Sequence, residues 1–545
     1  MRRRHHAVAA QWLEEAVALS QRPDEHAADV AHHHEEAGHP AAAARWYLRA
    51  GQHAASTFAG EDALRLLGRA RSLVPKGERD LWADVLLAKE AVLDRMGRRE
   101  EQRETLDELG GEDALDPGRK ALVRLAEGRW LFFRGEYPAV PPVAQEAAAL
   151  AREAGRPDLE SDALMQGGRS LAYVNEHQPA TELLDQALAT ARELGDHKRA
   201  GEVLRLLAVV ATNRGTTEEG MRLLDAARVE HQQINDREGE AMVVGQLGAL
   251  LMNWGRLEEA RVASEEALEV FEATGHRYRE GVMLTNLARI AMEQGRLDDA
   301  LEGGRRALRL TEEIDDAEGV VASLQSLGDG YRLAGEHSTA REYLERGLEE
   351  SRRHALPYFT AHLLASLAAV DLVDGRLDDA VAHAAEAQEA AAKDDVPHAH
   401  ARADLLAGMV RQDVGDPAAV TLLRAVAKKH AELGVEADWL ESLSVLALAL
   451  EDAGEPGQAM DVVEVILPAL DRSTAPGVVQ PGRVLADVHR VLANAGDPRA
   501  MAVARRAAAY LREQSERIRD DDLRASFLAA PVNIRLAKVA ASVGG

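Results

Sequence analysis

The chain has 545 residues and a formal net charge of −27. It is too long for one compact core, because single cores stop growing at about 250–300 residues, so several domains or a repeat array are expected. The acidic balance argues against direct binding to nucleic acid or to an anionic membrane, since phosphate contacts need clustered Lys and Arg. The absence of cysteine excludes disulfides, thiolate metal sites and cysteine nucleophiles.

Apolar residues make up 46% of the chain and aromatic residues only 4%, so Ala, Leu and Val dominate the apolar fraction. Ala and Leu are strong helix formers, which favours closely packed helices. No apolar run of 18 residues occurs, and Gln11, Glu14 and Glu15 interrupt the N-terminus. Neither a membrane span nor a secretory signal is therefore predicted, and a cytoplasmic location is the default expectation.

Residues 1–110 are the first predicted part of the chain, an N-terminal helical segment. Three consecutive histidines, His32 to His34, with His26 nearby, raise the question of a metal site. Successive residues of a helix point about 100° apart, so three adjacent histidines are poorly placed to bind one ion. An ordinary helix surface is the favoured interpretation, and no metal or cofactor is predicted.

Residues 115–472 repeat with a period of 40 residues, and a turn marks each period. The turn residues are Gly135, Asn175, Gly215, Gly255, Gly295, Gly335, Gly375 and Gly415. Seven residues before each turn stands a column of small residues, which are Gly128, Gly168, Ala208, Gly248, Ala288, Gly328, Ala368 and Gly408. Small residues let two helices approach closely, so a larger side chain in this column is predicted to clash.

A second helix end falls halfway through each period, at Gly155, Gly195, Asn235, Gly275, Asp315, Ala355 and Asp395. Gly and Asn suit the left-handed backbone position that ends a helix. Between these ends, apolar residues such as Leu284, Leu287 and Ala291 follow helical spacing. Each repeat is therefore two helices of about 16–17 residues, helix A before the turn and helix B after it, and the repeats must stack to bury their apolar faces.

These patterns predict an all-α fold, a right-handed superhelical solenoid of antiparallel helical hairpins. A glycine-rich break at residues 110–118 separates the N-terminal segment from the array. The stretch 473–482, which contains Pro476 and Pro481, predicts a linker. Beyond it, residues 483–545 are predicted to form a C-terminal repeat and capping helices.

One helix A carries the run Leu327-Gly328-Asp329-Gly330-Tyr331. This is the Leu-Gly-x-x-Tyr pattern of the tetratricopeptide repeat, which the array resembles. The period of 40 departs from that family's 34 residues, and the closing proline is mostly replaced by Gly-Asp or Asp-Asp. In this the array is similar to the longer repeats of the effector-sensing arms of bacterial signal-transduction ATPases, such as the maltose regulator.

Both ends of the chain strengthen that second resemblance. Residues 24–75 look like the segment that follows the NTPase and winged-helix part of bacterial regulators and of AAA-linked nucleotide cyclases. The tail from Arg517 to Arg535 resembles the way in which their repeat arms end. No Gly-x-x-x-x-Gly-Lys-Ser/Thr sequence, helix-turn-helix or cyclase domain is found. The chain is then either a stand-alone sensor arm or a piece of a longer protein.

Acidic pairs, for example Asp298-Asp299 and Asp378-Asp379, open helix B of their repeats. Two carboxylates can act in acid–base catalysis within a cleft, or they can complement the dipole at the start of a helix. Their recurrence in the first turn favours the helix-dipole interpretation. His-Glu-x-x-His and Gly-x-Ser-x-Gly motifs are also missing, so no catalytic residue is predicted.

Polar residues beside the small-residue column are predicted to line the concave groove of the array. The candidates are Arg129, Arg169, Arg205, Gln246, Asn253, Asn286, Arg289, Gln325, Asp329 and Arg332. An arginine row in an acidic protein can grip a carboxylate or a phosphate, because the guanidinium group forks bidentately. The alternative is that these arginines form ion pairs with neighbouring Glu and Asp residues of the chain itself.

The sequence thus predicts a non-catalytic scaffold or sensor arm that binds a protein or peptide partner in its groove, in bacterial signalling or transcriptional regulation. Small-ligand sensing by the solenoid of a larger ATPase regulator is the alternative. An enzyme with an unrecognised site is the third possibility. The oligomeric state is left open.

Overall fold

Helices joined by short turns make up the residues that the computed structural model describes, which are 1–19, 24–57, 59–111, 114–354, 356–392, 397–434, 436–471 and 479–541. No β-strand occurs in these ranges. None of the helices within them is long and apolar enough to cross a bilayer. The predicted all-α fold is confirmed.

The α-helices of the described residues run in chain order. They are α1 Arg2–Leu19, α2 Ala27–Ala37, α3 Pro40–Ser56, α4 Gly60–Leu73, α5 Arg79–Arg95, α6 Arg99–Gly110, α7 Pro117–Phe133, α8 Val140–Glu153, α9 Pro157–Tyr173, α10 His177–Glu193, α11 His197–Asn213, α12 Thr217–Gln233, α13 Arg237–Asn253, α14 Leu257–Thr274, α15 Arg277–Glu293, α16 Leu297–Glu313, α17 Ala317–Leu333, α18 His337–Arg353, α19 Pro357–Val373, α20 Leu377–Ala391, α21 Pro397–Asp413, α22 Ala419–Leu433, α23 Glu436–Asp452, α24 Pro456–Leu470, α25 Arg483–Asn494, α26 Ala500–Arg517, α27 Asp521–Ala529 and α28 Pro531–Ala541. A 3₁₀ turn at Tyr137–Ala139 precedes α8.

The chain divides into two compact units, Met1–Gly239 and Glu240–Gly545. In the first unit each helix packs against the next, and alternate helices such as α7 and α9 also touch. The second unit has the same pattern, in which α15, α17 and α19 pack successively beside one another. Contacts of both kinds are what stacked helical hairpins require, so the predicted hairpin array is present in each unit.

Left-handed backbone positions end the helices where the sequence predicts them. The seven turn glycines have φ between 72° and 84°, and Asn175 has φ of 59°. At the halfway ends, Asn235 and Asp315 have φ of 54° and 53°. The predicted ends at Ala355 and Asp395 lie outside the described residues. Elsewhere the predicted turn columns are confirmed.

Close packing of helix A on helix B explains the small-residue column. A Cβ atom at Gly168 would lie 2.6 Å from Cγ of Leu184, and one at Gly328 would lie 2.5 Å from Cγ of Leu344. Ala208 is 1% exposed. Because α10 and α18 occupy the space that a side chain would need, the predicted clash is confirmed.

One end of the predicted linker differs from the expectation. Residues 472–478 lie outside the described residues, but Val479 and Gln480 are only 2% and 8% exposed. These two residues therefore belong to the interior of the second unit, because the buried side chains that surround them hold their backbone. The predicted divisions at residues 110–115 and 472–483 stay predictions.

Candidate functional site

Three of the predicted groove residues lie on successive A helices of the first unit, Arg129 on α7, Arg169 on α9 and Arg205 on α11. Arg129 pairs with carboxylates of the chain, at 3.1 Å from Glu90 and 3.5 Å from Asp94. The half-buried Arg205 also has a partner within the chain. Arg129 thus follows the ion-pair alternative that the sequence left open.

Arg169 differs from Arg129, its neighbour in the row. It forms no ion pair within the described residues of the first unit, and its buried Nε has no hydrogen-bond partner. Its guanidinium carbon lies 4.0 Å from the centroid of the Phe132 ring. Burial lowers the pKa of Arg169 from its ordinary value. The side chain is therefore a half-buried cation that forms no ion pair within the described residues, although the charge of Asp94 acts on it from beyond contact distance.

Arg169 lies against Phe132 at the side of an aromatic cluster, which is formed by Trp130, Phe132, Phe133, Tyr137 and Tyr173. The ring centroids of Phe132, Tyr137 and Tyr173 lie 5.0 Å from one another. The 3₁₀ turn places Tyr137 here, and its carbonyl accepts a 2.8 Å hydrogen bond from the Ser170 hydroxyl. Phe133 and Tyr173 remain 57% and 60% exposed. The cluster thus presents aromatic surface to solvent.

Three more arginines lie over the rings of the aromatic cluster, and the sequence did not single them out. Arg99 lies 4.5 Å from the Phe133 ring, and Arg103 and Arg134 lie 5.1 and 4.9 Å from the Trp130 ring. Each of the three also pairs with a carboxylate of the chain. The signal that could have found this region is the aromatic run at residues 130–133, in a chain with only 4% aromatic residues.

The remaining predicted groove residues belong to the second unit. Gln246, Asn286 and Gln325 are half-buried, and Arg289 is exposed. Gln246 has an interaction partner within the chain. The side chain of Asn253 lies outside the described residues. Among the described residues of the second unit, no ring beside these positions is as exposed as Phe133 or Tyr173, although Trp254 is 45% exposed.

Asp329 and Arg332 are buried, because the chain itself covers them. Arg332 donates to Oδ1 of Asp329 at 3.2 Å, and Ser366 donates to the same oxygen at 2.8 Å. Arg332 also donates to the carbonyl of Val479. This part of the second unit is consequently closed to a partner in the present conformation.

Glu441 and Arg483 hold in place the segment that covers Arg332, which contains Val479 and Gln480. The buried carboxylate of Glu441 accepts the backbone N–H groups of Val479 at 2.9 Å and of Gln480 at 2.8 Å. Arg483 is 1% exposed and donates to Asp487 at 3.1 Å. A charge buried in this way needs paired partners, and each of these groups has them.

A second self-contact joins the C-terminal helices to turns far earlier in the chain. The carboxylate of Asp298 accepts the backbone N–H groups of Arg519 at 2.8 Å and of Asp520 at 3.1 Å. Arg519 also pairs with Asp299 at 2.6 Å. Asp298 and Asp299 do lie in the first turn of α16, as predicted, but no side chain caps that helix. They bind the C-terminal segment, which the helix-dipole interpretation missed.

A cavity of about 720 Å³ adjoins this contact. Four arginines line it, and each is engaged by a carboxylate of the chain: Arg261, Arg296, Arg517 and Arg519. The cavity therefore offers a ligand no uncompensated positive charge, in contrast to the surroundings of Arg169.

Residues 279–349, which span α15 to α18 except for their outermost residues, match the family model described as tetratricopeptide repeat. Similar solved structures include a Rap protein complexed with competence and sporulation factor, at 12% identity over 76% of this chain and 99% of that chain with a TM-score of 0.41. Aspartyl phosphate phosphatase F from Bacillus subtilis matches at 11% identity over 66% and 94%, with a TM-score of 0.44. No curated protein sequence matches the chain. The match to the tetratricopeptide repeat thus covers four helices of an array of helical hairpins that continues on both sides of them.

Proposed function

We propose that this protein is a non-catalytic scaffold that binds a protein partner, and that the first unit carries the binding surface. The observation that carries the proposal is the aromatic cluster, with Phe133 and Tyr173 more than half exposed. Exposed aromatic rings flanked by arginines are the side chains that dominate binding energy at protein interfaces. In the second unit, by contrast, Asp329 and Arg332 are covered by the chain itself.

The resemblance of the array to the arms of bacterial ATPase regulators supports a setting in signalling or transcriptional regulation. In that setting the scaffold passes the presence of its partner to another part of a larger assembly. The net charge of −27 supports a protein rather than a nucleic acid as the partner. Cytoplasmic location belongs to the same proposal.

Site-specific photo-crosslinking in the source cells tests the scaffold. A photoreactive phenylalanine analogue at position 133 or 173 should capture a discrete partner, because both side chains are exposed in the aromatic cluster. The matched control is position 229 on α12, where Val229 is 52% exposed on a B helix. Equal capture from position 229, or none from 133 and 173, would contradict the proposal.

The cavity beside Arg517 and Arg519 favours a second candidate, the sensing of a small ligand by the second unit. A ligand that binds only the folded state raises the free energy of unfolding by about 2.7 kcal/mol at 100 times its Kd. Thermal unfolding of the purified protein across a metabolite library measures this. Unchanged melting temperatures throughout the library would rule against ligand sensing.

A further inference from the structure

Among the arginines around the aromatic cluster, Arg169 is the one that forms no ion pair within the described residues. Arg99 and Arg129 both engage Asp94, at 2.5 and 3.5 Å. Arg134 engages Glu136 at 2.9 Å. A half-buried cation without a counter-charge is unfavourable, and this one lies in a chain that has 92 acidic residues available.

The ring beneath Arg169 limits how an anion can reach it. Phe132 covers one face of the guanidinium group at 4.0 Å and Nε is buried, so the edge formed by the two terminal nitrogens is left for hydrogen bonding. Edge-on, a guanidinium group forms two parallel hydrogen bonds with a carboxylate. Tyr173, which is 60% exposed and packs on Phe132, provides an adjacent apolar surface. A ligand would therefore place a carboxylate on Arg169 and a ring beside it on Tyr173.

We propose that Arg169 binds the side-chain carboxylate of an Asp or Glu in an extended segment of the partner protein, with an adjacent proline or aromatic ring of that segment on Tyr173. The inference rests on the proposed scaffold function and names the class of partner. A chain-terminal carboxylate is not the ligand here, since Arg129, the next cation of the row, is already held by Glu90 and Asp94.

Selection from a phage-displayed library of random linear peptides, fused so that no peptide has a free C-terminus, tests the partner class. The full chain and its Arg169→Gln variant are used in parallel. The expected result is that peptides with Asp or Glu next to Pro, Trp, Tyr or Phe are enriched on the unchanged full chain and are not enriched on the Arg169→Gln variant. Enriched sequences are then synthesised with amidated C-termini, and their affinities are measured by fluorescence anisotropy.

Arg169→Gln should weaken these peptides by about tenfold or more, because it removes a charge-assisted bidentate pair. Arg169→Lys should recover only part of the affinity, and Tyr173→Ala should weaken binding even though the variant remains folded. The matched control is Arg152→Gln on α8, an arginine 62% exposed and paired with Glu160 at 2.9 Å.

The possible outcomes distinguish the carboxylate site at Arg169 from the scaffold function on which it rests. Peptides that bind the full chain and Arg169→Gln equally would overturn the carboxylate site and leave the scaffold standing. Enrichment of phosphorylated or carboxylate-free sequences in a follow-up array would also overturn it. No enrichment on the full chain, together with no capture from positions 133 and 173, would overturn both. Circular dichroism of each variant verifies that it is folded.

Discussion

Asp315 adopts a backbone conformation that glycine adopts at most other helix ends of the array. Its φ of 53° lies in the left-handed region, which costs residues with a Cβ atom roughly 1–2 kcal/mol. Asn175 and Asn235 adopt the same conformation, which asparagine tolerates better than most residues with a Cβ atom. The helix ends are therefore fixed by the stacking of the repeats, which holds even unfavourable residues in this conformation.

Asp315→Gly is expected to raise the free energy of unfolding by up to about 1 kcal/mol, because the strain at φ of 53° disappears. Gly255→Ala is the matched reverse change, since its φ is 73° and nothing lies within 4 Å of the added Cβ. It should lower the free energy of unfolding by about 1 kcal/mol. Urea titration measures both values, and the same sign for both variants would contradict this account.

Pairs of helices, rather than single helices, are the unit from which the array is built. Helix A approaches helix B closely enough that Gly328 has no room for a Cβ beside Leu344. This close approach repeats at Gly168 against Leu184 and at Gly408 against Leu423. The small-residue column thus records one packing geometry that recurs in both units.

Gly328→Ala is expected to lower the free energy of unfolding by about 1–3 kcal/mol, because overpacking forces α17 away from α18. Gly303→Ala on α16 is the control, since its Cβ would lie at an ordinary 3.5 Å from Cβ of Ala288. Removing a glycine from a helix interior should stabilise the protein by about 1 kcal/mol. Urea denaturation followed by circular dichroism gives both values. Equal changes in the free energy of unfolding for the two variants would show that close helix packing is not the reason for the small residues in this column.

At the scale of the whole chain, the second unit closes on itself through residues far apart in sequence. Asp298 binds backbone groups of Arg519 and Asp520. Leu523 packs against the hydrophobic cluster of α16 and α17. The part of the chain that matches the tetratricopeptide repeat model is thereby in contact with the protein's own C-terminal segment.

Asp298→Ala should speed amide hydrogen exchange at residues 519 and 520, since both N–H groups lose their acceptor. Exchange in the middle of α26 around Tyr510, which is 4% exposed, should stay unchanged. The matched control is Asp378→Ala, at the equivalent first-turn position of α20. Both changes remove the same helix-dipole interaction, so equal exchange in the two variants would refute the contact.

The repeat array could be predicted from the sequence because its determinants recur every 40 residues. The candidate site could not be predicted as completely. Arg169 was found from its column, but Tyr137 reaches it through a 3₁₀ turn that interrupts the repeat. The C-terminal contact also escaped prediction, because the residues around Asp298 and Arg519 carry no local signal of each other.

The two turn glycines beneath the C-terminal helices bear a constraint that the other five do not. A Cβ at Gly335 would collide with the carbonyl of Ser526, and one at Gly295 would collide with Gln514, whereas the same atom at Gly375 would meet nothing. During divergence of this protein, asparagine can therefore replace glycine at most turns, as it already does at Asn175. At Gly335 the collision is with backbone, so the same replacement would have to be accompanied by a change in the C-terminal helices, whereas at Gly295 only the Gln514 side chain would have to move. Position 335 and the segment around Ser526 are therefore expected to evolve together.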